Sequence, residues 1–242
     1  MTLNRRQLFR LVGAGAALSS LGTTAAVAAQ PKFVKPTAEK PMLLCFNENP
    51  LGMSEKAKEA VAKAAMYGSR YPFAQVIAFK KDLAKFMNVR PDEVLLTHGS
   101  AEAIRATIEA EATKNTVLVQ PELTYGDGEH FANLYNVPVV KVPMLADWKV
   151  DVAGLKKAVD GFDGFSIVYF VNPNNPTSTV TPASEIEPWV KSKPDNTLFI
   201  ADEAYAEYVS DPKFKSMAGL IQDGLDNVVL LKTFSKLYAM AG

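Results

Sequence analysis

From residue 94 onward the chain alternates short β-branched runs with helical stretches, and this pattern limits the fold more than any other feature. The runs are residues 94–97, 116–119, 137–140, 167–171, 198–201 and 228–231. Several lack the polar alternation of a sheet with one wet face, so they read as strands covered on both sides. Between them, residues 101–113, 127–135, 151–159 and 183–191 read as helices. The alternation predicts a mostly parallel α/β sheet whose ligand sits beyond the carboxyl ends of the strands. Ahead of it, Ser54 reads as the N-cap of a helix over residues 55–67. A second helix over 76–87 would put Val76, Phe79, Leu83 and Phe86 on one face.

Composition narrows the classes of function. With 242 residues, 48% of them apolar, the chain can bury a sizeable core without staples. Twenty-six basic residues against 26 acidic ones leave no net charge, which argues against a nucleic-acid binder. The single cysteine, Cys45, permits no internal disulfide, and with only two histidines no metal site is expected.

Residues 1–29 read as an address. Arg5, Arg6 and Arg10 are followed by an uncharged run to Ala29 that is rich in Ala, Gly, Leu and Ser. This is the anatomy of a signal peptide, and the paired arginines resemble a twin-arginine signal. A retained membrane anchor is the competing reading, but the glycines and hydroxyl residues make the run weakly apolar. Cleavage after Ala28 or Ala29 would remove three arginines and no acids, giving a slightly acidic, exported, periplasmic chain with no stable membrane association. Residues 30–52, with three prolines before residue 42, read as an extended arm, and residues 53–242 as the main domain.

The polar residues collect at strand ends. His98-Gly99-Ser100-Ala101-Glu102 joins a strand to a helix, and a helix N-terminus offers backbone N–H groups to an anion. Asn172-Pro173-Asn174-Asn175-Pro176-Thr177 follows an apolar strand, where an Asn side chain can face a ligand. Asp202, at the end of the next strand, needs a cation or a protonated heterocycle to offset its burial. Thr233-Phe234-Ser235-Lys236 adds two hydroxyls and a lysine able to form a Schiff base with a carbonyl cofactor.

In this order, the four segments resemble the class I/II, fold-type-I aminotransferases that depend on pyridoxal 5'-phosphate, in particular the histidinol-phosphate aminotransferase-like branch. The resemblance covers nearly all of residues 44–242 and implies a three-layer α/β/α large domain. It implies that Lys236 bonds the cofactor covalently and then acts as the acid/base, while Asp202 holds the ring nitrogen protonated. It assigns Asn175 and Tyr205 to the ring hydroxyl and Tyr125 to the ring face. The phosphate falls to Ser100, Ala101, Glu102, Thr233 and Ser235, joined by Tyr71 from a neighbouring subunit of a homodimer with shared sites. The segment containing Asn49, Leu51 and Gly52 would line the substrate entrance, and no metal is implied.

The implied reaction moves an amino group between an amino acid or amino-alcohol phosphate and a 2-oxo acid. A lyase or decarboxylase on the same cofactor, or a non-catalytic cofactor-binding fragment, would share these motifs. Three departures from the family pattern stand out. Ser178 replaces a usual Gly, His98 replaces a common Asn and reads as a packing residue, and the carboxyl-terminal small domain is expected to be absent after Gly242.

Overall fold

The computed structural model describes residues 35–192 and 194–242. The expected signal peptide, residues 1–29, lies outside the described residues, as do the first five residues of the expected arm. The chain separates into two units, residues 1–43 and residues 44–242. Within the first, the Thr37 N–H donates to the Lys40 carbonyl at 3.1 Å.

The second unit is organised by five parallel strands: β1 (Thr116–Pro121), β2 (Val139–Val142), β3 (Phe165–Val171), β4 (Thr197–Asp202) and β5 (Val228–Leu231). Their order across the sheet is β2-β1-β3-β4-β5. Parallel neighbours need crossover connections, and the helices supply them. Helices α1 (Glu55–Ala65), α2 (Phe73–Met87) and α3 (Gly99–Glu111) precede the first strand, and the crossovers are α4 (Asp127–Leu134), α5 (Val152–Asp160), α6 (Ala183–Lys191) and α7 (Ala218–Gln222).

Two hydrophobic clusters show the layering. On one face Leu155 and Val159 of α5, Ile186, Trp189 and Val190 of α6 and Leu220 of α7 pack on Val117, Val119, Val168, Phe170 and Phe199. On the other, Ile104 and Ile108 of α3 and Ala132 of α4 pack on Leu118, Ile167, Tyr169, Val171 and Ile200. Each fully buried large side chain contributes roughly 1.5–3 kcal/mol. The Trp189 ring meets Phe199 edge-on at 4.8 Å, the geometry aromatic quadrupoles favour. The sheet is the parallel α/β sheet that the alternation predicts, and the helices on its two faces give the three-layer α/β/α arrangement that the family resemblance implies.

Individual elements depart from expectation for local reasons. Residues 94–97 form no regular element and pair with no strand among the described residues, and Leu95 is 75% exposed. A strand is a pairing, and an apolar run alone does not make one. Strand β2 starts two residues later than expected, because Pro138 has no N–H and the Val137 N–H closes the end of α4 on the Ala132 carbonyl. Ser54 caps α1 as expected, its hydroxyl accepting from the Ala57 N–H at 3.2 Å. Helix α2 begins at Phe73, and its expected apolar face is largely exposed; Ala84 is its only buried residue. His98 is exposed rather than packed. Ser178 adopts φ +57°, the left-handed conformation for which glycine is the usual residue.

Candidate active site

The carboxyl ends of β1, β3, β4 and β5 open into one cavity of about 310 Å³. Its walls include Ser100, Ala101, Tyr125, Asn175, Asp202, Tyr205, Thr233, Ser235 and Lys236. Residues scattered over 137 positions meet here because a parallel sheet delivers every strand's carboxyl end to the same edge.

Three asparagines in the loop after β3 have separate tasks. Asn172 is locked to Thr181, donating to its carbonyl at 3.0 Å and accepting from its N–H at 2.9 Å. Asn174 donates to the Leu123 carbonyl and to Thr177 Oγ1, and accepts from Thr124 Oγ1 at 2.8 Å. Those bonds tie the loop to the segment carrying Tyr125. Asn175 is the member that lines the cavity.

At the opposite wall, α3 begins with Gly99 at φ +78°, a turn that only glycine makes without strain. The N–H groups of Ser100 and Ala101 open its first turn, where no intrahelical acceptor exists. Beside them Thr233 Oγ1 donates to Ser235 Oγ at 3.0 Å and accepts from the Ser235 N–H. Two helix-start N–H groups and two hydroxyls form a receptor for an anion.

Two lysines follow β5, and their surroundings separate them. Lys232 pairs with Glu207 at 2.9 Å and Glu203 at 3.6 Å, so its charge is engaged outside the cavity. Lys236 lines the cavity, donates to the Phe46 carbonyl at 2.8 Å and lies 5.8 Å from the Tyr205 ring centroid. The Tyr205 hydroxyl in turn accepts from Asn47 Nδ2 at 3.0 Å.

The sequence matches the class I and II aminotransferase family over residues 39–242. The chain belongs to that family. It is 31% identical over 198 residues to histidinol-phosphate aminotransferase of Brevibacillus brevis, covering 82% of this chain and 53% of that protein. The counterpart from Symbiobacterium thermophilum is 36% identical over 196 residues, with 81% and 53% covered. Among solved structures, a provisionally named histidinol-phosphate aminotransferase from Erwinia carotovora atroseptica superposes with a TM-score of 0.85 at 53% identity, covering 87% of this chain and 61% of that one. The Sinorhizobium meliloti enzyme, solved with pyridoxal-5'-phosphate, gives a TM-score of 0.74 at 25% identity, with 92% and 62% covered. The chain spans about half the length of the curated relatives it matches.

In this aminotransferase-family chain, Asp202 is the buried carboxyl group of the site, 3% exposed. Burial pushes its carboxyl above the ordinary range, and the Asp127 carboxylate adds to the rise. The Ala204 N–H at 3.1 Å, the Tyr169 hydroxyl at 3.0 Å and the charge of Lys236 oppose it. Tyr125 is pushed up to about 12, by burial first and by the neighbouring Asp127 next.

Not every expected site residue reaches the cavity. The Glu102 carboxylate turns back to accept from the His98 N–H at 2.5 Å, and only its backbone belongs to the helix start. Asn49 donates to the Leu237 carbonyl at 2.8 Å, pinning the amino-terminal segment to the turn after Lys236. Leu51 is exposed, and Gly52 makes a turn at φ +72°. Tyr71 is 85% exposed and stacks on Phe73 at 5.6 Å, away from the cavity. Asn47, which opens the amino-terminal motif Asn47-Glu48-Asn49-Pro50-Leu51-Gly52, does line the cavity, and so does Phe46, which no sequence signal marks. Tyr169, in the apolar run 167–171, has the Asp202 carboxylate as its hydroxyl's partner, which the run itself does not reveal.

Proposed function

We propose that this chain forms the cofactor-binding part of a pyridoxal-phosphate-dependent aminotransferase of the histidinol-phosphate aminotransferase-like kind. The observation that carries the reading is the arrangement around one cavity of an anion receptor, a buried carboxylate and an unengaged-by-carboxylate lysine, Lys236. The cavity volume falls at the small end of the roughly 300–1,000 Å³ typical of small-molecule sites.

The residues present fit the cofactor. Ser100 and Ala101 N–H groups with Thr233 and Ser235 would hold its phosphate, and Tyr125 would cover the ring face. Asn175 and Tyr205 would donate to the ring hydroxyl oxygen. When bound, the cofactor supplies an electron sink for the carbanion formed at the substrate Cα. Asp202 would keep a proton on the ring nitrogen, a role that requires the carboxylate to stay ionised despite burial. Lys236 Nζ would take the proton from the substrate Cα as a general base and, as the ammonium so formed, would hold it for return as a general acid when the transfer is completed.

The substrates proposed are an amino acid or amino-alcohol phosphate as donor and a 2-oxo acid as acceptor. Incubating the cofactor-loaded full-length protein with candidate donors tests this. Conversion of the cofactor to its amine form, reversed by a 2-oxo acid, supports transfer; release of pyruvate, ammonia or carbon dioxide assigns lysis instead.

Two wider readings accompany it. A homodimer with shared sites is supported by the exposure of Met66, Tyr67, Tyr71, Phe73 and Ile77 along α2 and the connection that precedes it. Export to the periplasm is supported by the Arg5-Arg6 pair and the uncharged run to Ala29. Replacing both arginines by lysine should leave the precursor in the cytoplasm, and unchanged periplasmic recovery of that variant would exclude the route.

A further inference from the structure

We infer that Tyr169 is a positioning residue that fixes the Asp202 carboxylate toward the cavity, and that Gly128 provides the clearance its ring requires. The inference rests on the reading of Asp202 as the partner of the cofactor ring nitrogen.

The two oxygens of Asp202 are held differently. Oδ1 accepts from the Ala204 N–H, two residues ahead on the same chain, so this bond comes with the turn after β4. Oδ2 accepts from the Tyr169 hydroxyl, which comes from the neighbouring strand. Val171 of β3 is in register with Asp202, and Tyr169 lies two residues earlier on the same sheet face. Its side chain therefore reaches along the strand to the carboxylate. A carboxylate anchored at one oxygen can turn about its Cβ–Cγ bond, whereas one anchored at both cannot.

The hydroxyl has no packing purpose. Tyr169 is completely buried among Leu118, Ala132, Ile167 and Ile200, where a phenylalanine would fill nearly the same volume. A buried phenol is costly unless its O–H has a partner, and the partner here is Asp202. The phenol also keeps its proton. Burial, with the charges of Asp202 and Asp127 beside it, raises it well above 10, so it remains a donor across the working pH range.

Gly128 completes the unit. A Cβ at this position of α4 would lie 2.5 Å from Tyr169 Cδ1 and 3.0 Å from both Tyr169 Cε1 and Gln120 Oε1. The ring is enclosed by β-sheet and helix, so it has nowhere to retreat. The glycine is required for close approach, since its φ is not in the left-handed region.

The charged and titratable groups facing Asp202 are Tyr169 from β3, Asp127 and Tyr125 from α4 and the loop before it, and Lys236 after β5. Of these, Tyr169 is the side chain that bonds it. Tyr169→Phe keeps the ring and the core packing while removing the donor, and Gly128→Ala displaces the ring while keeping the donor. Both variants of the full-length protein are read in two ways: Asp202 ionisation in cofactor-free protein, followed by carboxyl-carbon NMR with Asp202→Asn for assignment, and equilibrium affinity for pyridoxal 5'-phosphate. In Tyr169→Phe the acid dissociation constant of Asp202 should fall roughly ten- to a hundredfold, the loss of about one hydrogen bond to a charged group. Cofactor affinity should fall by a similar factor, and Gly128→Ala should move both quantities in the same direction. A purely structural role would lower the melting temperature of Tyr169→Phe and leave the Asp202 ionisation where it was, which overturns the inference. Wild-type protein that binds no pyridoxal 5'-phosphate, with Asp202 ionisation still shifted in Tyr169→Phe, would overturn the cofactor reading while supporting the hydrogen-bond role.

Discussion

Lys236 Nζ donates to the carbonyl of Phe46 at 2.8 Å, joining two segments 190 positions apart in sequence. Phe46 and Asn47 form the turn over the cavity, both with positive φ, and Asn47 reaches the Tyr205 hydroxyl from the same turn. The amino-terminal segment thus completes the wall that the sheet leaves open. It also holds Lys236 Nζ through a carbonyl oxygen, and among the described residues no carboxylate is paired with it.

The first prediction concerns which lysine reacts. Lys232 is held by Glu203 and Glu207, and Lys236 faces the cavity. Borohydride reduction of protein loaded with pyridoxal 5'-phosphate, followed by peptide mapping, should place the label on Lys236. Lys236→Ala should abolish the label and reduce turnover by a factor of at least ~10³, as expected for removal of a group that acts as both nucleophile and acid/base. A label on Lys232 would contradict the assignment.

Asp202→Asn separates stability from chemistry. Burial raises the Asp202 carboxyl in the folded chain, so its contribution to stability is full below the ordinary carboxylate range and is lost as pH rises through the raised value. Removing the charge should make the cofactor-free variant melt above the wild type at pH 7 to 8, with the gap closing toward pH 4. Activity should move the other way, because a neutral amide cannot hold the ring nitrogen protonated; half-reaction rates should fall by several kcal/mol in barrier, roughly 10²-fold or more. A variant with wild-type rates would remove Asp202 from the mechanism.

How far the sequence anticipated this structure depends on the kind of interaction. Buried parallel strands carry continuous apolar runs, so β1, β3, β4 and β5 were legible. Residues 94–97 carry the same signal and are not paired, since pairing is non-local and the run says nothing about a neighbour. The face of α2 containing Phe79 and Phe86 was amphipathic on paper, but amphipathicity does not say what covers it. At the site, the strand-end motifs located Lys236, Asp202 and Asn175, because the carboxyl edge of a parallel sheet is the one place four strand ends meet. Asn172, Asn174 and Asn175 are alike in composition, and their tasks appear only from their hydrogen bonds. Tyr169 escaped because a phenol in an apolar run looks like one more core residue.

Asn174 is predicted to matter through the loops it joins. Its side chain makes three hydrogen bonds, to Leu123, Thr124 and Thr177, and Asn174→Ala leaves those partners without them in a site largely shielded from water. The loss should be about 2–3 kcal/mol at roughly 1 kcal/mol per bond. For a chain of this size that corresponds to a melting temperature lower by about 5–10 °C. Because Tyr125 and Asn175 flank these bonds, cofactor affinity should also weaken. Unchanged melting with unchanged affinity would show that other contacts hold the two loops.

The last prediction tests the shared site. Tyr71 is exposed, does not reach the cavity of its own chain, and sits among the exposed apolar residues proposed to meet a second copy. If Tyr71 serves the partner's cofactor phosphate, Tyr71→Ala and Lys236→Ala carried on different subunits fall on the same site of a mixed dimer. The subunit carrying Tyr71→Ala retains its own Lys236 and receives Tyr71 from its partner, so one of the two sites is intact; the other site lacks both groups. Random reassortment of equal amounts gives half mixed dimers, and restored activity should approach about a quarter of the wild-type value. Light scattering on the full-length protein should show a dimer, and the two variants, each weak alone, should complement only after subunits are exchanged by mild denaturant and refolding. A monomer of full activity, or a dimer in which mixing restores nothing, would place Tyr71 outside the partner's site.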